Sequence, residues 1–328
     1  MNYIGSKLKL SSWIKEEIKG VVGDDLSKKI FCDIFAGTGI VGRAFKKDVK
    51  QVIANDLEYY SYVLNRNYIA NHKELKEKLE VISYLNSLPL RDDGFIYNNY
   101  CSLADRLYFS DENGKKIDTI REEIERFRDD EDLYYFLLAS LLESADKVAN
   151  TASVYGAYLK SLKKSAKKEL TLEAAIFEEC ENTHKVYQKD SNALIKEISG
   201  DILYLDPPYN QRQYGANYHI LNSIAIYDEF VPKGKSGLRE YNRSSYCKKN
   251  EVKEKFEELI KDAKFKYIFL SYNNEGLMSE EEVQTIMKRY GKYSLAKKEY
   301  QRFKADKSEN RNHRASRTFE YLHVLVKS

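Results

Sequence analysis

Residues 29–45 read KIFCDIFAGTGIVGRAF. The first seven are apolar at successive positions apart from Lys29 and Asp33, the pattern of a strand buried on both faces rather than one. Ala36-Gly37-Thr38-Gly39 then breaks the run. Beyond it Ile40, Val41, Ala44 and Phe45 fall on one helical face, so the stretch predicts a strand, a glycine-rich turn and a helix, the opening of an α/β fold. Three more continuous apolar runs, Gln51–Asn55, Asp201–Leu205 and Phe265–Tyr272, predict further strands of a parallel sheet covered by helices. Near the end, LAKKEYQRF and TFEYLHVLVK flank the polar stretch Lys304–Arg317 and predict an antiparallel hairpin with a long basic loop.

Gly37-Thr38-Gly39-Ile40-Val41-Gly42 fits G-x-G-x-x-G between a strand and a helix, where glycines let a ligand approach the backbone. Asp56 follows at the end of the second predicted strand, nineteen residues after Gly37, where a carboxylate accepts hydrogen bonds from a ribose. NAD and S-adenosylmethionine both carry that ribose, and the pairing does not choose between them. Asp33, two residues before Phe35 in D-x-F-x-G-x-G, favours the second, because a carboxylate there suits an ammonium better than a pyrophosphate.

Asp206-Pro207-Pro208-Tyr209 ends the run DILYL. Two prolines cannot donate to a sheet ladder, so they terminate the strand and stiffen the chain at the carboxyl edge, where open α/β sheets bind ligands. The Asp206 carboxylate and the Pro207 carbonyl are two acceptors, and Tyr209 supplies an aromatic face. That set matches a planar heterocycle bearing an exocyclic amino group. A merely rigid turn would account for the prolines and leave Asp206 and Tyr209 unexplained.

Through these residues together the chain resembles the Dam-like, group alpha DNA adenine-N6 methyltransferases of restriction–modification type. The resemblance runs in the family's order through Tyr3-Ile4-Gly5-Ser6-Lys7, Asp33–Gly39, Asn55-Asp56, Lys189-Asp190 and Asp206–Tyr209. It implies a Rossmann-like, S-adenosylmethionine-dependent methyltransferase sheet with an inserted, mostly helical target-recognition domain: residues 1–89 and 181–328 for catalysis, 90–180 for the insertion. It further implies S-adenosyl-L-methionine held by Tyr3, Lys7, Asp33, Phe35, Gly37, Gly39, Asp56, Asp190 and Asp206. Methyl transfer to N6 of a flipped-out adenine would be performed by Asp206, Pro207, Pro208 and Tyr209. Cytosine N4 and RNA adenine present similar amino groups, and an inactive DNA-binding relative is a reading of another class. A restriction–modification setting with a cognate endonuclease is the default the resemblance implies; the oligomeric state is left open.

Bulk charge identifies no partner: 54 Lys and Arg against 51 Asp and Glu leave +3, so distribution has to decide. Surplus positive charge collects in Lys160–Lys168, in Pro232–Lys249 and in the hairpin loop, where Lys304, Arg311, Arg314 and Arg317 stand among asparagines. That mixture suits phosphates and base edges of double-stranded DNA. Arg212, Gln213, Tyr214 and Asn217, just after the Pro-Pro turn, are candidates for contacts beside a flipped base. His184 and His219 read as structural, since methyl transfer needs no imidazole.

The longest apolar stretch, Phe136–Leu142, stops at Glu143, far short of the ~20 residues of a membrane helix. The N-terminal MNYIGSKLKLSSWIKEE carries no signal-like apolar core. The expectation is a cytoplasmic protein whose four cysteines stay reduced. Their spacing offers no CxxC pair and therefore no metal site.

Overall fold

The computed structural model describes residues 6–301 and 317–328, with the side chains of residues 300, 301, 317 and 318 left out. These residues form two compact units. The first, Ser6–Leu57, Asn182–Gln213 and Arg243–Ser328, is built on a sheet. Its strands in chain order are β1 (Ile30–Asp33), β2 (Gln51–Asn55), β3 (Lys185–Tyr187), β4 (Ser199–Leu205), β5 (Lys264–Asn273), β6 (Gly291–Gln301) and β7 (Arg317–Lys327). They lie in the order β3-β2-β1-β4-β5-β7-β6. The first five pair in parallel, while β7 runs antiparallel between β5 and β6. The four apolar runs and the terminal hairpin are therefore strands, as their patterning predicts. The loop joining β6 to β7 lies outside the described residues.

Both faces of the sheet are covered, which is why its central strands read as continuous apolar runs. On one face Cys32, Ile34, Leu203, Leu205, Ile268 and Leu270 share a core with Val252, Phe256, Leu259 and Ile260, the buried stripe of the helix Val252–Asp262. The helix Glu280–Lys288 joins them and starts at a capping box in which Ser279 and Glu282 exchange hydrogen bonds with each other's backbone. On the other face Phe31 of β1 stacks on Phe45 of the helix Ile40–Phe45 with ring centres 4.2 Å apart. Both rings are fully buried, and each contributes about 1.5–3 kcal/mol through lost water contact.

The second unit, Glu58–Glu181 with Tyr214–Asn242, is helical as far as Val148. It starts some thirty residues before the expected insertion and recruits a later segment. The physical reason is a shared core: Tyr60, Val63 and Leu64 pack with Ile220, Leu221 and Ile224, and the Tyr60 N–H donates to Asn222 Oδ1 at 3.0 Å. No local pattern in the sequence announces that pairing. From Ala149 to His184 the chain forms neither helix nor strand. Here an extended segment buries Leu170, Leu172, Ala175 and Phe177, and its backbone is tied to side chains instead of a ladder. Leu170 N–H donates to Asn113 Oδ1 (2.8 Å), Leu172 N–H to Asn86 Oδ1 (2.8 Å), Glu173 N–H to Ser144 Oγ (2.9 Å) and Ala175 N–H to Ser140 Oγ (2.9 Å). Buried backbone groups must be paired, and helix-borne Asn and Ser side chains meet that need here.

Several tyrosines serve this core. Tyr100 OH donates to the Gly237 carbonyl (2.7 Å) and Tyr155 OH to Asp146 Oδ1 (2.8 Å), so each buried ring keeps its polar tip satisfied. His219 is fully buried beside the Tyr155 carbonyl (2.9 Å), and burial pulls its pKa down to about 4. His184 Nδ1 accepts the Val52 N–H at 3.0 Å. None of the four cysteines is in a disulfide among the described residues, and no helix among them is long and apolar enough to cross a membrane.

Candidate active site

The carboxyl edge of the sheet gathers the residues singled out above. After β1 the chain turns through Gly37 (φ 53°) and Gly39 (φ 75°), left-handed conformations that cost a side-chain-bearing residue about 1–2 kcal/mol. The Ala36 N–H bonds the Asn55 carbonyl at 2.8 Å, and the Gly37 N–H donates to Asp56 Oδ2 at 2.8 Å. Asp56 thus braces the turn with one carboxylate oxygen. Asn55 holds the next corner: its Nδ2 donates to the carbonyls of Ile34 and Lys189, both at 3.0 Å, while its Oδ1 accepts the Lys189 N–H at 3.0 Å. This staple fixes the chain before Asp190. Asp190 itself is exposed and caps the short helix Ser191–Leu194, accepting the Ala193 N–H at 3.0 Å.

Asp33 closes β1 almost completely buried, and its Oδ1 has no hydrogen-bond partner among the described residues. Burial, then the charges of Asp206 and Asp56, push its carboxyl well above the usual range. An orphaned buried oxygen costs about 1–3 kcal/mol until a donor reaches it.

Asp206 stands at the end of β4. Lys7 Nζ lies 3.0 Å from Asp206 Oδ1 and 3.1 Å from Glu320 Oε1 of β7. The Lys7 side chain is 5% exposed and that of Glu320 2%, and Ser271 Oγ on β5 donates to Glu320 Oε1 at 2.6 Å. Burial alone would lower the lysine's pKa, but the two carboxylates outweigh it and hold the ammonium well above its ordinary range. For Asp206 burial is the larger influence, and despite Lys7 its carboxyl is raised from 3.8 to about 6. Tyr209 lies under the same ammonium, 5.5 Å from ring centre to Nζ, and its carbonyl accepts the Leu277 N–H at 3.1 Å. Its ring meets Tyr272 edge-on at 6.3 Å. Phe35 meets Tyr246 in the same way at 4.9 Å.

The sheet unit therefore brings together Lys7, Asp33, Phe35, Gly37, Gly39, Asp56, Asp206, Pro207, Pro208 and Tyr209 at one edge. Tyr3, Lys304, Arg311 and Arg314 lie outside the described residues, as does the side chain of Arg317. Arg212 is exposed in the sheet unit. Gln213 is engaged with Ser244, whose N–H it accepts at 2.8 Å and whose carbonyl it bonds at 3.3 Å. In the helical unit Tyr214 stacks on Tyr218, and the Asn217 carbonyl accepts the Tyr155 N–H at 2.7 Å. Of the basic stretches, Arg239 is paired with both oxygens of Asp228 at 3.0 and 3.1 Å, whereas Lys160, Lys164, Lys167 and Lys168 are exposed.

Sequence reasoning missed Glu320, Ser271 and the stapling role of Asn55. The only signal for Glu320 is its place in the alternation of β7. It shares a face with buried Leu322 and Val324, where a charge needs a partner.

Comparison with known proteins decides the family. Residues 3–286 match the family model of the D12 class N6 adenine-specific DNA methyltransferases. The chain belongs to that family. It is 66% identical over 334 positions, covering all of both chains, to the type II methyltransferase M.NlaIII of Neisseria lactamica. It is 40% identical to the type II methyltransferase M.CviAII of Paramecium bursaria Chlorella virus 1, over 93% of each chain. The type II methyltransferase M.FokI of Planomicrobium okeanokoites is 39% identical over all of this chain, which spans 53% of that protein. This D12 methyltransferase is accordingly an adenine-specific DNA methyltransferase with the α/β sheet of its class, and its chemistry requires a methyl donor.

Proposed function

We propose that this D12 methyltransferase takes its methyl group from S-adenosyl-L-methionine and delivers it to N6 of an adenine flipped out of duplex DNA at one short target sequence. The observation that carries the reading is the charge balance at the sheet edge. Four carboxylates, Asp33, Asp56, Asp206 and Glu320, gather at this edge; Lys7 pairs with Asp206 and Glu320 alone, Asp33 is pressed by the charges of Asp206 and Asp56, and Asp33 Oδ1 lacks a donor among the described residues. Such an edge suits a ligand bearing positive charge. S-adenosyl-L-methionine supplies an electrophilic methyl group on a sulfonium, together with an ammonium and a ribose. Asp33, Gly37 and Gly39 would hold its methionine part, Asp56 its ribose, and Asp190 with Phe35 its adenine.

The chain's own residues do the rest. Asp206 and the Pro207 carbonyl accept hydrogen bonds from the two N–H groups of the target amino group and stabilise the positive charge that grows on its nitrogen as the methyl arrives; the surplus proton of the methylated nitrogen then passes to the Asp206 carboxylate or to water. Asp206 is ionised above about pH 6, so the acceptor is ready at neutral pH. Tyr209 stacks on the flipped base, a contact worth roughly 1–3 kcal/mol that offsets part of the unstacking cost. Arg212, Gln213, Tyr214 and Asn217, together with Lys304, Arg311, Arg314 and Arg317, would contact the duplex. The helical unit would read the target sequence. We further infer a cytoplasmic location and a cognate restriction endonuclease acting at the same sequence.

Single-molecule sequencing of DNA from cells expressing the wild type and Asp206→Ala tests the reading. N6-methyladenine at one short sequence, absent with the variant, is the expected result. The same modification in Asp206→Ala cells would sink the assignment of Asp206. Titration with S-adenosyl-L-methionine tests the donor, and micromolar binding is expected.

A further inference from the structure

Lys7 is nearly equidistant from two carboxylates, 3.0 Å from Asp206 and 3.1 Å from Glu320. Sequence places Lys7 and Glu320 near opposite ends of the chain with Asp206 between them; the sheet brings them together because β7 runs against β5. Asn273, the last residue of β5, pairs with Glu320 in the ladder, so the start of β7 lands at the carboxyl edge where Asp206 ends β4. Glu320 is not left to swing. Ser271 holds its Oε1 at 2.6 Å, and the side chain is 2% exposed.

A lysine on four rotatable bonds with Asp206 as its one anionic partner would close fully on that carboxylate and occupy the acceptor that a substrate amino group needs. A second carboxylate, fixed by Ser271, draws the ammonium from the other side, so that it meets Asp206 at Oδ1 and leaves Oδ2 to the substrate. We propose that Glu320 is a positioning residue of the methyl transfer, anchoring Lys7 so that its ammonium steadies Asp206 without consuming it. This rests on Asp206 being the acceptor of the adenine amino hydrogens. Among the described residues the charged and titratable groups facing Asp206 are Lys7 from the N-terminal segment, Glu320 from β7, Asp33 from β1 and Tyr204 from β4. Of these, Lys7 favours the ionised carboxylate and Glu320 opposes it.

The opposition makes the test specific. The single-turnover methylation rate is measured against pH for the wild type, Glu320→Gln, Glu320→Asp, Lys7→Met and Asp206→Asn. The pH dependence of unfolding of each ligand-free protein is measured alongside. Glu320→Gln keeps the shape and an acceptor but removes the charge. Its acid limb moves to lower pH by an amount on the order of one pH unit, and the unfolding inflection near pH 6 moves with it. Lys7→Met moves both to higher pH. Glu320→Asp keeps the charge on a shorter arm, so its limb stays in place while the rate falls several-fold at every pH. Limbs that stay put in both Glu320→Gln and Lys7→Met, or that move the same way, overturn the proposal, as does a uniform loss of rate in Glu320→Gln with an unmoved limb. Should Glu320→Gln fail to fold, the opposite pair, Lys7→Met and Glu320→Asp, still decides: an unmoved limb in the first refutes the role. Undiminished turnover in Asp206→Asn removes the underlying reading of Asp206, and an inert Asp206→Asn with unmoved limbs elsewhere removes the role of Glu320 alone.

Discussion

Replacing Asp206 by asparagine makes the ligand-free protein more stable while it abolishes turnover. The native carboxyl binds its proton more tightly than the unfolded one, since burial raises its pKa from 3.8 to about 6. The stability that the neutral carboxyl provides is fully present below the unfolded value and is lost as pH climbs through the folded one. At about 1.4 kcal/mol per pH unit, keeping Asp206 ionised at pH 7.5 costs the fold about 3 kcal/mol. The side chain is 19% exposed, so water returns part of this and an advantage of about 1–3 kcal/mol is expected for the amide. Asparagine resembles the neutral acid and still offers Lys7 a carbonyl oxygen. Denaturant titrations of wild type and variant at pH 7.5 and pH 4.5 measure the difference, which should shrink to about a third at the lower pH. Equal stabilities at pH 7.5, or an advantage undiminished at pH 4.5, would refute the claim that an ionised Asp206 is held at a cost.

Asp56→Ala removes the acceptor of the Gly37 N–H, and S-adenosyl-L-methionine affinity by calorimetry should fall roughly 10-fold or more, equivalent to at least about 1.4 kcal/mol. Gly37→Ala forces a side chain into φ 53° and should lower stability by about 1–2 kcal/mol in denaturant titration, with a parallel loss of that affinity. Changing Arg311, Arg314 and Arg317 together to alanine should weaken duplex binding and flatten its dependence on log salt by about 2 to 3; an unchanged slope would take that loop out of the interface.

The local patterns of the chain were enough to place β1, β2, β4, β5 and the terminal hairpin. A strand buried on both faces needs a continuous apolar run, and that requirement is written residue by residue. The same holds for the glycine turn, where only glycine accepts φ of 53° and 75° without strain, and for the double proline that ends β4. Those two motifs, with Tyr3–Lys7, Asp33, Asn55-Asp56 and Lys189-Asp190, carry the resemblance to the family. Non-local pairing was not legible. The helical unit begins at Glu58 and takes in Tyr214–Asn242 because Tyr60 and Asn222 meet across 162 positions of chain. The extended segment around Leu172 depends on side chains of Asn86, Asn113, Ser140 and Ser144, whose direction no periodicity reveals.

Sequence by itself thus determined where the strands, the glycine turn and the Asp206–Tyr209 turn stand, since these are short-range properties of backbone sterics and hydrogen-bonding capacity. Only the tertiary structure decided what surrounds them. An antiparallel β7 places Glu320 at the carboxyl edge of a parallel sheet, more than three hundred residues from Lys7, and so sets two carboxylates on one buried ammonium. Charge in a low-dielectric interior acts through distance in space, and that distance exists only once the sheet has formed.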